Sequence, residues 1–110
     1  MNKCCNVSKK RIINKGSSVV INVQGMYLTE GESYTAVLYN DVRNVKCRAT
    51  VQTIAFKQDN TIVCSFTFTS EETSNLKVGD CTFEFYNDEN KKTFAYIEDF
   101  AEVRATALGY

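Results

Sequence analysis

Apolar and polar residues alternate with period two along most of the chain, the pattern of strands that bury one face. Val19, Ile21 and Val23 point one way, while Ser18, Asn22 and the apolar Val20 point the other. Tyr34, Ala36 and Leu38 form the next inward set, against Thr35, Val37 and Tyr39. Val45, Cys47, Ala49 and Val51 then alternate with Lys46, Arg48, Thr50 and Gln52. At this point the parity changes, because Ile54 and Phe56 fall out of phase with Val51. A one-residue slip exchanges the two faces, so the pattern predicts a β-bulge near Gln52–Thr53. Lys57-Gln58-Asp59-Asn60 reads as a polar hairpin turn, and Ile62, Cys64, Phe66 and Phe68 follow as the inward set of the return strand. Centred between Gln58 and Asp59, this hairpin sets Cys64 against Thr53 and away from Cys47. That geometry puts a disulfide within the hairpin out of reach.

The alternation stops at Thr69. Thr69 and Glu72 have capping-box spacing, and Glu71 and Glu72 suit the positive end of a helix, so a short helical turn is expected near 70–76 with Leu76 plugged into the core. Val78-Gly79-Asp80 turns the chain into a strand with Cys81, Phe83 and Phe85 inward and Thr82, Glu84 and Tyr86 outward. Asn87–Lys92 is a second polar turn, and the return strand begins at Phe94 and runs to Val103. About seven short, evenly spaced strands predict an all-β domain, a β-sandwich of the immunoglobulin-like kind or a small barrel. The tryptophan of antibody domains is missing, since the chain has none.

Composition sharpens this picture. The 110 residues fit one domain, with 44% hydrophobic and 24% charged residues, as in ordinary globular proteins. Lys+Arg and Asp+Glu both number 13, and the zero net charge weighs against a nucleic-acid partner. The charges are unevenly placed. Lys3, Lys9, Lys10, Arg11 and Lys15 lie in the first 16 residues without an acid, leaving eight basic against 13 acidic side chains elsewhere. Residues 1–16 therefore read as a basic N-terminal arm, either solvated or docked on an acidic surface, ahead of a sandwich domain at 17–105 and a short tail at 106–110. Ile12 and Ile13 interrupt the cations as a strand would. No apolar run is long enough to span a membrane, and the N-terminus lacks the apolar core of a signal peptide. Five cysteines without an export signal point to assembly in a reducing cytosol. Cys47, Cys64 and Cys81 fall on inward positions and read as small buried hydrophobes. Cys4 and Cys5 are adjacent, and no CxxC pair supplies zinc-ligand spacing.

Histidine is absent, which removes the usual partner of a serine or cysteine nucleophile. Glu71–Glu72, Asp88–Glu89 and Glu98–Asp99 are the remaining acid–base candidates. They sit beside turns or at a helix start, where solubility and capping account for them. No glycine-rich phosphate loop occurs. The expectation is a non-enzymatic domain with no catalytic residue, cofactor or metal. Tyr27, Tyr39 and Tyr86 occupy outward or turn positions, and Val20, Val37 and Val63 share the nominally solvent faces. Such residues mark a subunit interface, the inner side of a further sheet, or a platform for a ligand such as carbohydrate.

One stretch carries a resemblance. Phe66-Thr67-Phe68-Thr69-Ser70-Glu71-Glu72-Thr73-Ser74-Asn75-Leu76-Lys77-Val78-Gly79-Asp80-Cys81 ends a strand in a threonine–glutamate helical turn, a leucine plug and a glycine. With Lys15-Gly16-Ser17-Ser18 leading into Val19–Val23, Tyr34–Leu38, the Lys57–Asn60 turn and Thr93-Phe94-Ala95-Tyr96-Ile97, it resembles the small immunoglobulin-like β-sandwich domains of tailed-bacteriophage virion proteins. These include the N-terminal domain of baseplate upper proteins and head-fibre or neck attachments. The chain departs from that pattern at Cys81, an aromatic in the family, and at Lys77-Val78, where a proline is common. The resemblance implies a virion structural protein assembled in the host cytoplasm, an adaptor, anchor or decoration subunit. Its partners would be other virion proteins or copies of itself, contacted through Lys3, Lys9, Lys10, Arg11, Lys15, Tyr27, Tyr39 and Tyr86. The alternative is a carbohydrate- or cell-surface-binding module.

Overall fold

The computed structural model describes residues 11–25, 27–41 and 43–105. Eight strands and one helical turn follow in the order β1 (Arg11–Asn14), β2 (Val19–Gln24), β3 (Ser33–Tyr39), β4 (Arg48–Ile54), β5 (Phe56–Gln58), β6 (Thr61–Phe68), α1 (Ser70–Thr73), β7 (Gly79–Asn87) and β8 (Thr93–Arg104). They form a five-stranded sheet, β1-β8-β7-β3-β4, and a three-stranded sheet, β2-β6-β5. The all-β expectation holds, as do the inward sets of β3, β6 and β7. Tyr34, Ala36, Leu38, Cys64, Phe66, Phe68, Phe83 and Phe85 are all buried, as is Ile21 of β2, the in-register neighbour of Phe66.

Aromatic packing ties the two sheets together. Phe66 meets Phe83 and Phe85 at ring-centroid distances of 6.2 and 5.6 Å, and Tyr34 meets Phe85 edge-on at 6.3 Å. Each buried phenylalanine contributes roughly 2–3 kcal/mol of transfer free energy, with further gain from tilted ring contacts. The Tyr34 hydroxyl is not stranded inside, because it accepts the Thr29 N–H at 2.9 Å.

Three local expectations are corrected. The strand expected from Val45 begins only at Arg48, and Val45 is exposed. The Asp41 carboxylate accepts the Arg43 N–H and the Asn44 side chain accepts the Lys46 N–H, both at 3.0 Å, and these local bonds curl the segment away from the ladder. The bulge near Gln52–Thr53 is absent, since β4 stays in register with β3 from Arg48 to Ile54. The parity change is a sheet corner instead. At the buried Ala55 the chain leaves one sheet for the other, held by Ala55 N–H to Glu32 O and Gly31 N–H to Ala55 O, both 2.9 Å. Ile54 and Phe56, on either side of the corner, are exposed.

The hairpin register also shifts by two, with Phe56 opposite Val63 and Gln58 opposite Thr61. Asp59 and Asn60 alone form the turn, at φ 50° and 66°, the positive pair that a two-residue type I′ turn demands. Cys64 consequently pairs in register with Val23, and Thr53 with Tyr34. The register instead breaks twice between β7 and β8, at Phe85/Tyr86 and, more widely, at Cys81/Phe83. There Cys81 faces Ala101 and Phe83 faces Ile97, leaving Glu98–Phe100 as a bulge with Asp99 at φ 52°.

Residues 11–14, grouped by charge with the basic arm, form β1 parallel to β8, Ile13 opposite Val103. Ile13 is fully buried, so this strand belongs to the core. The turn that follows is tied to α1 through buried Thr73, whose hydroxyl accepts the Gly16 N–H at 3.1 Å and donates to Ser17 O at 2.8 Å.

Candidate functional site

The two sheets turn very different outer faces to solvent. On the five-stranded sheet, alternation leaves Thr35, Val37 and Tyr39 of β3 beside Thr82, Glu84 and Tyr86 of β7 and Arg48, Thr50 and Gln52 of β4. Charged and polar groups here satisfy one another. The Tyr39 hydroxyl donates to Glu84 Oε1 at 3.1 Å while the Arg48 guanidinium lies 5.6 Å from its ring centroid. Lys91 lies 5.9 Å from the Tyr86 ring centroid. At the end of this face the Asp88 carboxylate accepts Ser33 Oγ at 2.5 Å, Thr35 Oγ1 at 2.6 Å and Gln52 Nε2 at 2.8 Å. Partial burial pushes its carboxyl up, but the donors Gln52, Ser33 and Thr35 and the Lys91 charge outweigh that and hold it below the usual 3.8. A carboxylate so stabilised is a poor general base at neutral pH. Its role is to fasten β3, β4 and the end of β7.

The other adjacent acids have separate duties. Glu72 Oε1 accepts the Thr50 N–H at 2.9 Å, whereas Glu71, Glu89, Glu98 and Asp99 are exposed. Among the described residues no cluster of acids and cysteines has metal-ligand geometry, and no helix is long and apolar enough to cross a membrane. Cys64 and Cys81 are buried as expected, whereas Cys47, which precedes β4, is only half-buried, and burial raises the Cys64 thiol to about 11.

The outer face of the three-stranded sheet is uncharged. Cross-strand pairing puts Val20, Asn22 and Gln24 of β2, Thr61, Val63, Ser65 and Thr67 of β6, and Phe56 and Gln58 of β5 on it. None of these nine is ionisable in a chain where 24% of residues are charged. Val20 and Phe56 are 48% and 42% exposed, and Gln24 and Phe56 flank Val63 in one cross-strand row, leaving Val63 only 8% exposed.

At the turn end of this sheet lies an open pocket of about 320 Å³, lined by Gln24, Gly25, Asn60, Thr61 and Ile62. The Gly25 N–H donates to Ile62 O at 3.3 Å, extending the β2–β6 ladder to the pocket floor. The Tyr27 ring lies against Gly25, so close that a Cβ there would overlap its Cδ1 and Cε1, and Tyr27 is 49% exposed.

The residues singled out from sequence are thus dispersed. Tyr39 and Tyr86 share the charged face, but in register Tyr39 is opposite Thr82 and Tyr86 opposite Thr35, at opposite ends of it. Tyr27 stands beside the pocket. Arg11 lies on the outermost strand of the five-stranded sheet, its guanidinium 5.6 Å from the Phe100 ring centroid and 3.5 Å from Val20 O. Lys15 sits in the turn after β1, donating its N–H to Arg104 O at 2.9 Å. Lys3, Lys9 and Lys10 lie outside the described residues, as do Cys4, Cys5 and the tail at 106–110. Sequence reasoning missed Phe56, Gln24 and Asn60. The available signal was the Asp59-Asn60 pair, whose recognition as a two-residue turn sets the correct register.

No family model, curated protein or solved structure matches the chain.

Proposed function

We propose that this chain is a non-enzymatic structural subunit that works by protein–protein docking through the uncharged outer face of the three-stranded sheet. The finer reading is an immunoglobulin-like β-sandwich serving as an adaptor, anchor or decoration subunit of a tailed-phage virion. That part rests on the sequence resemblance around residues 66–81. The docking part rests on one observation: Val20 and Phe56 stand exposed on a face whose side chains include no charge. Depletion of charge beside exposed aliphatic and aromatic side chains is the composition of an interface core, and displaced water supplies its driving force. The opposite sheet has its tyrosines and acids engaged with one another and offers fewer unsatisfied groups to a partner.

Co-purification tests the reading. Wild-type chain should band with density-gradient-purified phage particles from the producing host. Val20→Glu, a surface change that spares the core, should fold but remain in the soluble fraction, because it buries an unpaired carboxylate on docking. Absence of the wild-type chain from purified particles would remove the virion assignment.

A further inference from the structure

The pocket at the Asp59-Asn60 turn is chemically distinct from the apolar docking residues of the same sheet. From its five lining residues, we infer that it binds a neutral, hydroxyl-rich ring: one pyranose unit of a glycan. No lining residue is charged, which disfavours phosphate or carboxylate ligands. The side chains of Gln24, Asn60 and Thr61 make no hydrogen bond within the described structure, and two of them are primary amides that donate and accept at once. Vicinal sugar hydroxyls need such paired donor–acceptor groups. A volume of about 320 Å³ is at the small end of ligand pockets and suits one such ring.

Position adds to composition. Gln24 ends β2 in register with Val63, and Asn60 is fixed in the tight turn at φ 66°, so both amides are presented from restrained backbone. Tyr27 supplies an exposed aromatic ring at the margin, packed on Gly25, against which the C–H face of a neighbouring sugar can lie. Gly25 is not at positive φ. Its missing side chain therefore serves the ring above it and not the backbone. This site does not depend on the docking reading, since it is tested on the isolated chain with no protein partner present.

The experiment is a two-dimensional ¹H–¹⁵N titration with the methyl glycosides of glucose, galactose, mannose and N-acetylglucosamine, each taken to tens of millimolar. At least one should shift the amides of residues 24, 25, 27 and 60–62 in a saturable way and leave the five-stranded sheet unmoved. Gln24→Ala and Asn60→Gly remove exposed amide side chains, and glycine keeps the positive φ of residue 60, so both should fold as wild type and each weaken binding about five- to tenfold. Gly25→Ala keeps an allowed backbone but displaces the Tyr27 ring, and should weaken binding comparably. No saturable shift with any of the four glycosides, shifts centred elsewhere, or binding indifferent to Gln24→Ala and Asn60→Gly would each overturn the assignment.

Discussion

Asp88 concentrates three short hydrogen bonds on one carboxylate, and its donors come from two different strands. Bonds to an ionised acceptor are stronger than neutral ones, but this side chain keeps contact with water, so the net value is modest. Asp88→Ala should lower stability by about 1 kcal/mol at neutral pH in urea denaturation. The sign with pH follows from its depressed carboxyl: the contribution is fully present above the usual 3.8 and fades as pH falls through the lower folded value. The gap between wild type and variant should therefore narrow below pH 3.8, and a gap that widens in acid would contradict the assignment. At this scale the inward side chains of β3, β6 and β7 were legible, because period two assigns faces directly, whereas Val45 and Cys47, read as inward, precede β4 and are exposed and half-buried. The Asp88 cradle was not legible. It joins residues 33, 35, 52 and 88 through register, which a local pattern does not contain.

The helical turn α1 does more than connect two strands. Thr69 caps it as expected, its Oγ1 accepting the Glu72 N–H at 3.2 Å. The second half of a capping box would return the Glu72 carboxylate to the N-cap, yet Glu72 Oε1 takes the Thr50 N–H, and Asn75 Nδ2 donates to Arg48 O at 3.4 Å. Both backbone groups belong to β4, the edge strand opposite β1, so the turn covers part of an edge that would otherwise template pairing with another chain. Glu72→Ala should leave the cap intact while the Thr50 amide exchanges with deuterium about fivefold faster or more. Unchanged exchange at Thr50 would show that Glu72 does not guard the edge. Here the sequence told where the helix starts but not what its acid touches, because Thr50 and Glu72 are 22 residues apart.

At the scale of the molecule, the all-β character and the hydrophobic interior follow from alternation, while the path of the chain does not. Ala55 is a small apolar residue between two phases, equally consistent with a bulge or a corner until its hydrogen bonds to Gly31 and Glu32 are seen. Charge also misled. Arg11 draws residues 11–14 into a basic arm on paper, but burial of Ile13 beside Val103 makes them a parallel strand of the sheet. The same corner carries Phe56 out to the uncharged face, where it lies beside Val63 in one cross-strand row, with Val20 two outward rows along on the opposite edge strand. Two outer faces of opposite character give the molecule a direction: one whose charges engage one another, and an uncharged one that the docking proposal assigns to a partner.

Hydroxyl-radical footprinting of the chain, free and within the assembly proposed for it, tests that direction most directly. Phe56 should be oxidised freely in solution and strongly protected on assembly, while Tyr39 and Tyr86 change little. Equal oxidation of Phe56 in both states, with protection falling on Tyr39 and Tyr86, would place the partner on the other sheet and contradict the account.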